Sequence, residues 1–227
     1  MAAQVEYWVI SLESLGPFQN LWALLSKDEQ DRAKGFKFPE LQRRFTLARA
    51  GLRQILGLYL NQKPGAIAFR YGDYGKPLLP EIAFNLAHTK RLALCAVALD
   101  SPQTSLGVDL EEKKRKTDIM GLAKRFFTAT ELDFLQKLPE TAQATAFLQL
   151  WTAKEAYLKG TGLGLQGGLD AVEVHLQPTP QLITPDQRPW SLFLGEPDQN
   201  HWGAIAIDQP HAQFTNRGEW MLYDGAV

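Results

Sequence analysis

The stretch W-T-A-K-E-A-Y-L-K at 151–159 sets a tryptophan, two lysines and a glutamate inside an otherwise apolar run. At 3.6 residues per turn, Glu155 and Lys159 lie one turn apart on one helix face, and Trp151 sits one turn before them on the same face. Lys154 is rotated about 100° from that face and is expected to meet another part of a ligand, or solvent. Read alone, the segment is an amphipathic helix whose exposed Glu–Lys pair contributes about 0.2–0.5 kcal/mol. A second acidic motif upstream gives it a different meaning.

That motif is L-G-V-D-L-E at 106–111, after the apolar run L-A-L-C-A-V-A-L at 92–99 and the turn-like D-S-P-Q-T-S at 100–105. On a strand, Asp109 and Glu111 point to one face while Val108 and Leu110 point to the other. Two carboxylates side by side repel unless a cation lies between them. Mg²⁺ suits this arrangement, because it takes oxygen ligands and is usually held by one or two carboxylates together with phosphate and water. A D-x-E strand by itself is more often the exposed face of an edge strand.

Length and composition narrow the class. The 227 residues are 45% hydrophobic and 22% charged, enough for one large domain or two small ones. No apolar run reaches 18 residues, and no basic segment precedes the apolar N-terminal stretch, so neither a membrane span nor a secretory signal is expected. The lone Cys95 reads as a core residue, and a reducing cytoplasm is the natural compartment. A formal net charge of −1 argues against general nucleic-acid binding.

Along the chain, patterning predicts an α/β protein of mixed α+β character. A strand at 5–11 is followed by a helix capped by Ser26 and a longer helix at 41–60, then strands at 66–70, 82–86 and 92–99. The second half repeats the plan: a strand at 106–111, helices from 119–127 and from a cap at Thr128 or Thr130 with Glu131, and a long helix at 142–159. Strands at 172–176, 191–194 and 201–207 follow. A faint echo links A-K-G-F at 33–36 with A-K-R-F at 123–126. The turn-forming segment at 100–105 marks the boundary, giving halves 1–104 and 105–227. Residues 178–197 read as a surface loop and hairpin, and G-T-G-L-G-L at 160–165 as a helix stop and rim.

Five segments taken in order carry a resemblance: Y-G-K-P at 74–77, F-N-L-A-H-T at 84–89, G-V-D-L-E at 107–111, R-F-F-T-A-T-E at 125–131 and W-x-x-K-E-A-x-x-K at 151–159. Together they resemble the 4′-phosphopantetheinyl transferases of the longer, surfactin-synthetase-activating type, over about residues 27–174. The resemblance implies two similarly folded α/β halves in a pseudo-twofold arrangement, with the cofactor site between them. The N-terminal half would take the 3′-phosphate and adenine of coenzyme A. The C-terminal half would carry the metal and the catalytic motifs.

The same resemblance implies roles for individual residues. Asp109, Glu111 and Glu155 would hold Mg²⁺ against the diphosphate of coenzyme A, and Glu155 would also take the proton of the attacking serine. Lys159 would face the leaving phosphate. Arg32, Lys76 and His88 would meet the 3′-phosphate end. Two departures bear on that end: Ala87 stands where many relatives have serine, and Glu29 stands where some have lysine and would repel phosphate. Glu131 is expected to be a helix-start residue rather than a support for the metal. Most of the face carrying Arg43, Arg44, Arg49 and Arg53 is expected to be solvated.

The expectation is a monomeric, cytoplasmic, Mg²⁺-dependent enzyme that converts apo acyl or peptidyl carrier proteins to holo form, with partners in neither nucleic acid nor membrane. Two other readings compete. One is a different Mg²⁺-dependent enzyme acting on a nucleotide diphosphate, although nothing resembles a Walker lysine loop or a two-metal cluster. The other is a catalytically silent module that binds coenzyme A or carrier protein, which the retained acids and Lys159 argue against.

Overall fold

The computed structural model describes residues 2–13, 18–99, 101–114, 118–164 and 168–223. Asp100 of the expected boundary and Leu165 of the expected rim lie outside them. Within them the chain is mixed α+β. The elements are β1 (Gln4–Ser11), α1 (Phe18–Ala23), α2 (Lys27–Lys34), α3 (Pro39–Leu60), β2 (Arg70–Tyr71), β3 (Pro77–Leu78), β4 (Ala83–His88) and β5 (Leu92–Leu99). There follow β6 (Leu106–Glu112), α4 (Ile119–Phe126), α5 (Ala129–Lys137), α6 (Glu140–Thr161), β7 (Glu173–His175), β8 (Gln181–Ile183), β9 (Ser191–Gly195), β10 (His201–Ile207) and β11 (Gln213–Trp220). No helix among the described residues is long and apolar enough to cross a membrane.

Two sheets form the centre, in the orders β11-β1-β5-β4 and β6-β10-β9. The alternation of β5 shows how they are layered. Ala93, Cys95 and Val97 join the core under α3, while Leu94, Ala96 and Ala98 join a second core with Leu106, Val108 and Leu110 of β6 and Ile205 and Ile207 of β10. On the opposite face of β10, Ala204 and Ala206 pack with Ala156 and Tyr157 of α6. The order of layers is therefore α3, first sheet, second sheet, α6. Each sheet carries its own 22-residue helix. Cys95 is fully buried, and burial pushes its thiol up to about 12, as a core residue requires.

Several expectations change. The strand expected at 66–70 is instead a 3-10 turn at Pro64–Ala66 followed by the two-residue β2, because Pro64 and Gly65 favour a turn and, among the described residues, β2 pairs with β3 alone. The short α1 and the strand β11 were not expected at all. β11 runs parallel to β1, so the first sheet contains a strand from beyond residue 105. The hairpin expected in the proline-rich region begins earlier, as β7 paired with β8. Gly162 ends α6 in the left-handed conformation at φ 76°, the expected helix stop.

Candidate active site

Local patterning brings β6 and α6 together. The apolar side chains of β6 enter the core between the sheets, which turns Gly107, Asp109 and Glu111 toward α6. Gly107 permits the contact: a Cβ there would lie 1.9 Å from the Ala156 carbonyl oxygen and 2.2 Å from the Gly160 nitrogen. The strand and the last two turns of the helix then diverge around a cleft of about 630 Å³. Asp109, Glu111, Glu155, Lys159, Trp151 and His88 all line it, so the helix face and the strand face expected from spacing meet.

Lys159 Nζ lies 2.5 Å from Asp109 Oδ1. Burial alone would lower the lysine pKa. The Asp109 carboxylate and its hydrogen bond, helped by the charges of Glu155 and Glu111, outweigh that and raise it. The other Asp109 oxygen, Oδ2, is buried without a hydrogen-bond partner among the described residues. An orphaned carboxylate oxygen in a cleft with two further carboxylates suits a hard, oxygen-seeking cation. Among the described residues no three carboxylate, imidazole or thiolate groups converge closely enough to form a metal cage by themselves. The donor set therefore fits an ion that completes its shell from phosphate and water, as Mg²⁺ commonly does.

Lys159 also lines a second, smaller cleft of about 250 Å³, together with Arg32, Arg49, Lys76, Asn85 and Tyr74. Of the expected basic groups, Arg32 and Lys76 line this second cleft, while His88 lines the carboxylate cleft. Lys76 differs from expectation in where its charge points. Its Nζ donates to the carbonyls of Leu106, Lys159 and Gly160, and burial pushes its pKa down to about 8 against the pull of Asp208. His88 stands at the exposed rim. Desolvation at the crowded wall, and then the positive charges of Lys159, Arg49 and Arg44, hold its imidazole below the usual range, against an opposing bond to the Thr89 carbonyl.

The expected repulsion from Glu29 is not what the structure shows. Glu29 is buried, caps α2 through the Ser26 amide, lies 2.7 Å from Arg53 Nε and 3.8 Å from Arg49 Nε, and so is neutralised before it meets any ligand. Arg53 and Arg49 are correspondingly buried rather than solvated. Arg49 keeps a buried Nη1 with no hydrogen-bond partner among the described residues, beside the second cleft. Ala87 packs in the core between the sheets, so it could not offer a side chain to this cleft.

Lys154 meets neither ligand nor solvent. It is fully buried, bonded to the carbonyls of Leu169 and Val172 and to Glu131 at 2.8 Å. Glu131 makes the expected helix-start capping box with Thr128 and also binds the Val174 amide. Sequence reasoning missed Lys90 and Lys114 on the cleft wall, whose signal was only their nearness to the two motifs. It also missed buried His201. That ring has Nδ1 2.7 Å from Asp198 Oδ1 and Nε2 3.1 Å from the Thr89 hydroxyl oxygen, tying the turn after His88 to β10.

A carboxylate cleft with a lysine at its centre and an arginine-lined annex defines a centre for group transfer on a polyanionic substrate. Comparison with known proteins agrees. Residues 105–214 match the 4′-phosphopantetheinyl transferase superfamily. The chain is 41% identical to the 4′-phosphopantetheinyl transferase HetI of Nostoc sp. strain PCC 7120, over 91% of this chain and 89% of that protein. It is 29% identical to the 4′-phosphopantetheinyl transferase Sfp of Bacillus subtilis strain 168, over 85% and 86%. A crystal structure of a holo-(acyl-carrier-protein) synthase from Bacillus anthracis, in complex with CoA (3′,5′-ADP), overlaps 47% of this chain and 96% of its own, with a TM-score of 0.42 and 22% identity. The chain belongs to the 4′-phosphopantetheinyl transferase superfamily.

Proposed function

We propose that this enzyme transfers 4′-phosphopantetheine from coenzyme A to a serine of an apo acyl or peptidyl carrier protein, releasing 3′,5′-ADP. The observation that carries the assignment is the Lys159–Asp109 pair at the junction of the two clefts, where a diphosphate would bridge the carboxylates and the arginines. Residues 1–104 would supply the 3′-phosphate and adenine side through Arg32 and His88. Residues 105–227 would supply the carboxylates and Lys159.

Asp109, Glu111 and Glu155 would hold Mg²⁺, which when bound polarises the diphosphate and offsets its charge. In the reaction the serine oxygen forms a bond to the phosphorus and the bond from phosphorus to the 3′,5′-ADP oxygen breaks. Glu155 takes the serine proton, directly or through one water. Lys159 balances Asp109 in the free enzyme and the leaving phosphate as transfer proceeds. The enzyme is taken to act as a cytoplasmic monomer, in keeping with its single buried thiol.

The test is to incubate the protein with coenzyme A, Mg²⁺ and an apo carrier protein and to weigh the carrier. A gain of one phosphopantetheine per carrier supports the proposal. An unchanged carrier mass refutes it and leaves the competing readings, a binding module or a different diphosphate enzyme.

A further inference from the structure

The turn between β2 and β3 drives one side chain into the seam between the halves. Gly75, at φ 76°, and the hydrogen bond from Gly72 N to the Lys76 carbonyl shape that turn and aim Lys76 inward. Its ammonium donates to Leu106 O at 2.9 Å, Lys159 O at 2.7 Å and Gly160 O at 2.9 Å. An ammonium has three N–H donors, and here each has an acceptor.

Those acceptors fall where they matter. Lys159 and Gly160 belong to the last turn of α6, whose carbonyls lack partners within the helix, and a cation there also complements the helix dipole. Leu106 begins β6, one residue before the Gly107 contact with Ala156 and Gly160. One side chain from residues 1–104 therefore binds both elements that carry the acidic cleft, at the point where those elements touch. Two residues beyond that contact stands Asp109, and on the helix side stand Glu155 and Lys159.

We propose that Lys76 is a positioning residue: it locks the start of β6 to the end of α6 and so sets the spacing of Asp109 from Glu155 and Lys159, rather than binding the 3′-phosphate. Its catalytic consequence rests on the transferase reading of the cleft. The lock itself does not.

Lys76→Met keeps length and removes the donors. Turnover with saturating coenzyme A should fall about tenfold or more, since small misplacements of reacting groups are costly. The preference for coenzyme A over 3′-dephospho-coenzyme A should stay within about twofold of wild type, because no phosphate contact is lost. Amide hydrogen exchange at 105–108 and 156–162 should accelerate. A variant with wild-type turnover, unchanged exchange and a collapsed 3′-phosphate preference overturns the proposal. If the wild-type protein transfers nothing to a carrier, the transferase reading falls, and the exchange comparison still decides the lock.

A measurement on the unmodified protein covers a variant that does not fold. With ¹⁵N-labelled lysine near pH 6, where a shifted lysine stays charged, Lys76 should give an ammonium resonance protected from exchange both free and with 3′,5′-ADP. Protection that appears only on adding 3′,5′-ADP overturns the proposal.

Discussion

Lys154 Nζ lies 2.8 Å from Glu131 Oε2 with both side chains excluded from solvent, so the residue next to Glu155 in sequence holds the scaffold and not the substrate. The pair joins α6 to α5, and the two carbonyls that Lys154 also binds anchor the segment leading into β7. Breaking one partner of a buried pair leaves an uncompensated charge. Lys154→Ala should therefore destabilise the fold by about 3–5 kcal/mol and lower the melting temperature by on the order of 10 °C. Thermal unfolding followed by circular dichroism would measure this; a shift of only a degree or two would mean the pair contributes little.

Asp109→Ala should remove most carrier modification, and raised Mg²⁺ should restore part of it, because one carboxylate fewer weakens the hold on the ion without closing the cleft. Initial rates across a Mg²⁺ titration read this out. Near-normal turnover at ordinary Mg²⁺ would return the D-x-E strand to a surface role.

Glu155 and Lys159 share a helix face and should fail differently. Glu155→Gln should cut turnover by roughly 10²–10⁴ while coenzyme A still binds. Lys159→Ala should weaken both binding and turnover, and it also leaves Asp109 without its ion-pair partner. Calorimetric binding beside single-turnover rates separates the two. Equal losses of binding in both variants would contradict the assigned roles.

His88 yields a prediction in pH. Its pKa in the free protein lies below the ordinary imidazole value, chiefly through desolvation and then through nearby cations. A bound 3′-phosphate would raise it. A group whose pKa rises on binding takes up a proton as the ligand arrives, and that uptake is greatest between the free and bound values. Calorimetry in buffers of different ionisation enthalpy, at pH about 6 to 7, should show more proton uptake on coenzyme A binding for wild type than for His88→Gln. Equal uptake would place His88 away from the phosphate.

Gly107→Ala tests the tightest glycine contact among the described residues. The added methyl would meet backbone on α6, which cannot swing aside as a side chain can. The variant should be destabilised by several kcal/mol, at the upper end of overpacking costs of about 1–3 kcal/mol or beyond them. Denaturant midpoints would measure it, and tolerance of the change would show that β6 and α6 separate more easily than their contact suggests.

The parts of this site that were legible in the sequence are those with a period. Asp109 and Glu111 two apart on a strand, and Trp151, Glu155 and Lys159 at helical spacing, reach one cleft because local geometry alone sets which way each side points. Charges whose role depends on distant partners were not legible. Lys154 was expected to meet a ligand or solvent, Arg53 to lie on a largely solvated face and Glu29 to repel phosphate, but each is neutralised by residues or carbonyls far along the chain. Lys76 was expected at the 3′-phosphate end; that its ammonium meets carbonyls of β6 and α6 instead could be seen only once the seam was built. The polar β11 has little of the alternation that marks a strand, because it lies at a sheet edge with most of its side chains exposed.

That edge strand has a consequence for synthesis. Gln4 of β1 pairs with Gln213 of β11, positions 209 apart. While the chain emerges from the ribosome, β1 can pair with β5 yet must wait for nearly everything else to be made before its other side is covered. Until then its free hydrogen-bonding edge is open to a neighbouring nascent chain, and the first sheet to begin forming is the last to close.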